Sequence, residues 1–348
     1  MEEQTIRFTD ERGRRIAWAQ SGEGPPLLFA GWWMSHLELN WGDPRFRAYV
    51  EALGRHRTVI RYDAPGTGAS ADGELPSASI EDAEAALAAV AAAAGARPAD
   101  LVGASSGAPV GIAYAARHPE RVRRLVLYGG YASGSGIADP SMRQEIVRLV
   151  RERWGLGSRV LADTFMPTAD GRDREAFVDF QRRSASADTA ARTLETVYCF
   201  DVASRLGEVK VPTVVLHRRE DRAIPFELGR ELAAGLPAAR FIALDGADHF
   251  PWFGDREQTL RATLHAIGVE VDGEPPDGDR QESGVEELTE RETEVLALIA
   301  SGLSDREVAE RLVLSPHTVH RHVANVRTKL GLPTRAAAVA AAAKRGLI

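Results

Sequence analysis

Cysteine is nearly absent. Cys199 is the only one in 348 residues, so the chain can form no intrachain disulfide and build no multi-cysteine metal site. A long apolar run is missing too. The longest weakly apolar stretch, Ala83 to Ala96, is mostly alanine, carries Glu84 and is too short to span a bilayer. The opening residues have no apolar core of the secretory kind and instead hold Glu2, Glu3, Arg7, Asp10 and Glu11. These absences exclude a disulfide scaffold and a membrane partner, and the expected location is the cytoplasm. No metal and no cofactor is expected.

Acidic residues are missing from one end. Ser315 to Ile348 holds six basic side chains and no acidic one, although the net charge of the chain is −7. Val269 to Gly284 is the reverse, with six acidic residues against Arg280. A mildly acidic protein with a purely basic last segment points to a polyanionic partner. What is present is ordinary for a soluble globular protein, 44% apolar and 27% charged, and the length suits two domains.

Buried strands alternate with helices over the first part. Residues 5–8 and 16–20 read as an opening hairpin, and Leu27–Ala30 and Thr58–Tyr62 read as buried strands. Ser79 starts an alanine-rich helix with Asp82 at the capping-box position. Leu101-Val102 then enters Gly103-Ala104-Ser105-Ser106-Gly107, followed by a helix over 108–117 and a strand over 122–128. This order predicts a mostly parallel sheet with helices on both faces. From about 131 to 204 the strands stop and helical periodicity takes over, which predicts a helical cap over the carboxyl ends of the sheet. Its aromatics (Trp154, Phe165, Phe177, Phe180 and Tyr198) are expected mainly in the core of the cap. Strand and helix resume at 211–217, from 225, at 240–244 and at about 255–267.

A strand that turns sharply into a helix through two glycines leaves the middle residue exposed, here Ser105. Alone it reads equally well as a tight turn. A serine hydroxyl becomes a nucleophile when a base takes its proton and a carboxylate holds that base in the right tautomer. Asp221 and His249 both fall just past later strands, in the order Ser, Asp, His. Singly, Asp221 reads as a helix cap and His249 as a core histidine; together with Ser105 they make a constellation. Asp63-Ala-Pro-Gly-Thr-Gly lacks the Gly-Lys-Ser/Thr ending of a phosphate loop and reads as a turn.

Residues 1 to about 268 resemble an α/β-hydrolase, above all over Gly103 to Tyr128. The resemblance implies Ser105 as nucleophile, His249 as general base and Asp221 as the orienting acid. Glu220 is the runner-up acid, and Asp221 has the family's spacing to Pro225. Where most of these hydrolases carry His-Gly, this chain has Ala30-Gly31-Trp32-Trp33. Oxyanion donors are backbone N–H groups, so the hole is assigned by position to Trp32 and Ser106. The tandem tryptophans are expected either to narrow the pocket or to stack on a ligand.

Val269 to Gly284, with Pro275-Pro276 and three glycines, reads as an acidic linker. The second domain, 285–348, is helical. Thr289 and Glu292 form a capping box, Ser304 caps a short second helix through Leu312, and Ser315-Pro316 starts a third. On that third helix Val319, Val323, Val326 and Leu330 form a core stripe. The opposite face carries His317, His320, Arg321, Ala324, Asn325 and Thr328, with Arg327 and Lys329 placed to meet phosphates. Thr318 joins this DNA-contacting set. His322 lies nearer the core stripe, with a mixed structural and phosphate-contacting role.

Glu287 to Ile348 resembles the LuxR-type helix-turn-helix over its whole length, in Leu-Thr-Glu-Arg-Glu-x-Glu-Val-Leu, Gly-Leu-Ser-Asp-Arg-Glu-Val-Ala, Ser-Pro-His-Thr-Val-His-Arg-His-Val and Lys-Leu-Gly. The resemblance implies four helices, with the last, Thr334 to about Arg345, a frequent dimer contact. The whole chain, including Trp33–Glu38 and Arg61–Asp63, resembles α/β-hydrolase–LuxR fusion proteins. The leading expectation is a homodimeric transcriptional regulator that binds double-stranded operator DNA. Its hydrolase domain binds a small ester- or lactone-like ligand, with or without slow hydrolysis. The alternative is an active serine hydrolase of esters, lactones or thioesters for which DNA binding is an address or an autoregulatory function. A third reading combines the two.

Overall fold

The computed structural model describes residues 4–71, 79–237, 239–271, 288–301, 303–312 and 314, together with Val319, His322, Val323, Val326, Arg335, Val339 and Ala342. The chain divides into two compact units, Met1–Arg280 and Gln281–Ile348.

In the first unit the described strands form one eight-stranded sheet. They are β1 (Ile6–Glu11), β2 (Arg14–Ser21), β3 (Pro26–Ala30), β4 (Thr58–Tyr62), β5 (Ala99–Ala104), β6 (Val122–Tyr128), β7 (Thr213–Arg218) and β8 (Arg240–Leu244), in the order β1-β2-β4-β3-β5-β6-β7-β8. β1 and β2 pair antiparallel with each other, and β2 with β4; every later pairing is parallel. Each residue of β5 is buried, as a central strand covered on both faces requires. The strand order reverses at β3, so the crevice of the sheet opens between the loops that follow β3 and β5.

Two layers cover the sheet. One holds α3 (Ile80–Ala93), α4 (Gly107–Arg117) and α9 (Phe226–Gly235), which bury Leu87, Val90, Ile112 and Leu232. The other holds α2 (Pro44–Gly54), preceded by the short α1 (Leu37–Gly42), and α10 (Arg256–Ala266). There Phe46, Tyr49, Val50 and Leu53 repeat at helical spacing and pack with Leu264 and Ile267. The Ser79 hydroxyl accepts from the Asp82 N–H, so α3 starts at the cap read from sequence.

Between β6 and β7 lie α5 (Pro140–Glu152), α6 (Trp154–Phe165), α7 (Gly171–Ser184) and α8 (Ala187–Cys199). The two ends of this insertion are pinned together, with Ser133 and Asp201 forming a bridge and the Val202 N–H donating to Ala132 O at 2.8 Å. Among the described residues, no helix is long and apolar enough to cross a membrane.

The second unit holds α11 (Glu290–Ala300) and α12 (Asp305–Leu312). Thr289 and Glu292 form a reciprocal capping box at the start of α11. Val295 and Ile299 pack with Val308, Ala309, Val319 and Val323, while Leu296 packs with Val326 and Ala342. Arg335 bonds to Leu303 O at 3.0 Å and pairs with Asp305.

Candidate active site and nucleic-acid interface

The turn after β5 is built for close approach. A Cβ at Gly103 would lie 2.6 Å from the Gly107 carbonyl oxygen, and one at Gly107 would lie 2.8 Å from Ala30 O. Only hydrogen at both positions lets α4 start directly over the strand. Ser105 between them adopts φ +53°, a left-handed conformation that costs a side-chain-bearing residue about 1–3 kcal/mol. The surrounding backbone holds it there, with the Ser105 N–H donating to Tyr128 O at 2.9 Å and the Ala108 N–H to Ser105 O at 3.0 Å.

Asp221 and His249 come from the loops after β7 and β8 and meet at 2.7 Å, His249 Nδ1 donating to Asp221 Oδ2. The other Asp221 oxygen accepts from the backbone N–H groups of Ala223 and Ile224 at 2.9 and 3.2 Å. Burial alone would raise this carboxyl, but the charge and hydrogen bond of His249, with His217 and the Ile224 amide, hold it below the usual carboxylate range. With Nδ1 committed to Asp221, the Nε2 of His249 is left as the proton acceptor. His249 and Ser105 line one cavity with about 440 Å³ of empty space, together with Trp33, Phe165, Phe177 and Trp252.

Several residues absent from the sequence reading hold this arrangement. Arg218 is fully buried, and its guanidinium donates to the carbonyls of Asp248, Phe250 and Phe253 and to the Thr259 hydroxyl. One cation thus gathers the loop that carries His249. His217 is buried too, and its Nε2 donates to Ile224 O at 2.9 Å, which fixes the far end of the Asp221 turn. Burial pushes His217 below its ordinary value. From the insertion, Phe165 O accepts the His249 N–H at 2.8 Å, and the Phe165 ring stacks on the imidazole at 5.5 Å. The Asp248 carboxylate accepts the Thr168 N–H at 3.1 Å and also bonds the Thr168 hydroxyl. Apart from the His217–Ile224 bond, these contacts join segments 30 or more residues apart, which local patterns do not report.

Of the insertion's aromatics, expected mainly in the core of the cap, two lie instead on the cavity wall. Phe165 and Phe177 line the cavity of Ser105, because α6 ends and α7 packs where the loop of His249 passes beneath them.

Trp32 and Ser106 flank Ser105 on the two loops of the crevice. Ser106 stands at the head of α4, where N–H groups lack intrahelical acceptors. The Trp32 ring packs among Phe29, Phe46 and Trp252, with centroids 5.7–6.2 Å away. The loop is anchored at its far end by Asp63, whose Oδ2 accepts from the N–H groups of Leu37 and Ala69 at 3.0 and 2.8 Å. Burial raises the Asp63 carboxyl and lowers the neighbouring Arg61 guanidinium to about 10.

In the second unit, Val319, Val323 and Val326 are buried as a core stripe, and His322 beside them is half-buried. His317, Thr318, His320, Arg321, Ala324, Asn325, Arg327, Thr328 and Lys329 lie outside the described residues, as do Ser315, Pro316 and Leu330. Most of the linker reading, 272–284, falls outside them too.

Comparison with known proteins agrees with both halves. Residues 27–262 match the alpha/beta hydrolase family, and residues 286–342 match the luxR family of bacterial regulatory proteins. A pyrrolizixenacetamide deacetylase of Xenorhabdus hominickii is 28% identical over 235 residues, 66% of this chain and 86% of the relative. A Mycobacterium tuberculosis protein named as an HTH-type transcriptional regulator is 48% identical over 59 residues, 17% of this chain and 7% of that protein. The crystal structure of a hydrolase from Pseudomonas aeruginosa PA01 superposes with a TM-score of 0.65 at 23% identity, covering 76% of this chain and 98% of that one. The chain belongs to the alpha/beta hydrolase family and carries a LuxR-type helix-turn-helix domain at its C-terminal end.

Proposed function

We propose that this protein is a transcriptional regulator whose hydrolase domain receives a small ester- or lactone-like ligand at Ser105, and whose helix-turn-helix domain binds operator DNA as a dimer. The observation that carries the reading is His249, held at 2.7 Å by Asp221, sharing a cavity with a strained Ser105 on a chain that also bears a LuxR-type domain. The chemistry follows from those groups. Ser105 Oγ attacks the ligand carbonyl as His249 Nε2 takes its proton, and the new oxyanion is met by the N–H groups of Trp32 and Ser106. Collapse expels the alcohol, which leaves with the proton from His249, and an acyl-Ser105 remains until water displaces it by the reverse sequence. A long-lived acyl-Ser105 would make the ligand a covalent mark. Rapid hydrolysis would reset the sensor.

A regulator requires that ligand and DNA each prefer the same conformation. The test is operator affinity, measured on the full chain before and after stoichiometric acylation of Ser105. A change of several-fold is expected. Unchanged affinity with a fully occupied pocket would refute the coupling and favour the second reading, a serine hydrolase with DNA binding as its address. What speaks for that second reading is the His249–Asp221 pair, with His249 lining the same cavity as Ser105.

A further inference from the structure

The chain leaves β3 through Gly31, Trp32 and Trp33, and the last residue of β4 meets it there. β3 pairs with β4 only as far as Leu28 and Ile60, so beyond that point the backbone N–H groups of the loop need other acceptors. Tyr62 supplies one. Its hydroxyl accepts the Gly31 N–H, and a Cβ at Gly31 would stand 3.1 Å from the Tyr62 Cζ and 3.2 Å from its hydroxyl oxygen. Burial pushes the hydroxyl up to about 12 and the Gly31 N–H acts against that rise, so the group is an uncharged phenol. Tyr62 is itself fixed, opposite Trp18 of β2 and within the core. The next residue, Asp63, holds the far end of the same loop through the Leu37 N–H at 3.0 Å. One strand end thus grips both ends of the loop that carries Trp32.

We infer that Tyr62 is a positioning residue: its hydroxyl, by holding the Gly31 N–H, sets the direction in which the next residue, Trp32, presents its own N–H to the oxyanion. The inference rests on the reading of Ser105 as nucleophile and of Trp32 as an oxyanion donor. Charge develops on the carbonyl oxygen only as Ser105 Oγ adds to the carbon, and a donor lowers that barrier to the extent that it is already in place. Ala30, where most of these hydrolases have histidine, offers the loop no polar side chain. The Tyr62 hydroxyl, reaching across from the neighbouring strand, does that work.

Tyr62→Phe deletes the hydroxyl and keeps the ring. Labelling of the full chain by a fluorophosphonate over a range of concentrations gives the saturating rate and the half-saturating concentration separately. The phosphoryl oxygen of the probe gains charge as Ser105 Oγ bonds to phosphorus and before fluoride leaves, so it draws on the same N–H groups. The saturating rate should fall about ten-fold or more, short of the roughly 10²–10³ that a deleted donor costs, with the half-saturating concentration within about two-fold. Hydrogen exchange read by mass spectrometry should quicken in a peptide spanning Gly31 and stay unchanged in the peptide that holds Ser105, which also checks the fold of the variant. An unchanged saturating rate, a loss confined to the half-saturating concentration, or exchange at Gly31 as slow as in the unsubstituted chain overturns the inference. Gly31→Ala reaches the same contact from the other side, because its methyl group presses on the Tyr62 ring. It should lower the same rate, and the two substitutions together should lose less than the product of their separate losses. Losses that multiply would mean that Tyr62 acts elsewhere. A fluorophosphonate that fails to label the unsubstituted chain would strike the nucleophile reading, and exchange at Gly31 then decides by itself whether Tyr62 holds the loop.

Discussion

The backbone N–H of His249 donates to the carbonyl of Phe165 at 2.8 Å, so the proposed base is hydrogen-bonded to the helical insertion as well as to Asp221. The ring of Phe165 stacks on the same imidazole. The end of α6 and His249 are thus tied together at the cavity that Phe165 and Phe177 line.

The neighbouring link from Thr168 to Asp248 makes this testable. Thr168→Val removes the hydroxyl donor and should cost about 1 kcal/mol of stability. The rate of fluorophosphonate labelling at Ser105 should fall more than probe binding does, and Thr168→Ser should restore it. A labelling rate equal to that of the unsubstituted chain would mean that the link does not position His249.

Asp221→Asn keeps the shape of the side chain and changes the tautomer that His249 is asked to hold. By analogy with other Ser-His-Asp sites, the labelling rate should fall about 10³–10⁴-fold with the thermal midpoint little changed. A loss below ten-fold would remove Asp221 from the proposed mechanism.

Gly129 follows β6 with φ +53°, and a Cβ there would lie 3.2 Å from His249 Cε1 and 3.4 Å from Asp221 Oδ2. Gly129→Ala should cost about 1–2 kcal/mol for the left-handed backbone. It should also slow labelling, because the methyl group crowds the imidazole. Denaturant unfolding and labelling kinetics read the two effects separately.

Burial lowers the proton affinity of His217 in the folded chain relative to its ordinary value of 6.5. As pH falls through 6.5 the unfolded chain takes up a proton that the folded chain refuses, so stability declines, by at most about 1.4 kcal/mol per pH unit for one proton. His217→Asn removes that contribution. Thermal midpoints between pH 7.5 and 5.5 should fall less steeply in the variant than in the unsubstituted chain, and parallel curves would contradict the assignment.

On the DNA side, Arg321→Ala should weaken operator binding by roughly 1–3 kcal/mol and relax sequence preference. An unaffected mobility shift would show that the recognition face of the third helix lies elsewhere.

The sheet was legible because buried parallel strands are nearly continuous apolar runs; Val122–Tyr128 and Arg240–Leu244 coincide with β6 and β8. Chain order placed Ser105, Asp221 and His249 at the carboxyl ends of strands, where the structure gathers them. The pair α1–α2 is absent from the sequence reading, although Phe46, Tyr49, Val50 and Leu53 carry its period. Arg218, His217 and Thr168 were not readable as parts of the site. Arg218 meets its carbonyls 30 or more residues away, and Thr168 meets Asp248 across 80. An isolated arginine or threonine in sequence carries no sign of such a partner.

The proposed mechanism stands on Ser105 as a nucleophile activated by His249 and Asp221. Its most direct test is mass spectrometry of the full chain treated with a fluorophosphonate, beside Ser105→Ala treated identically. A single adduct is expected on the peptide that holds Ser105, with fluoride displaced by Oγ, and none in the variant. An unmodified chain, or an adduct that persists in Ser105→Ala, would contradict it.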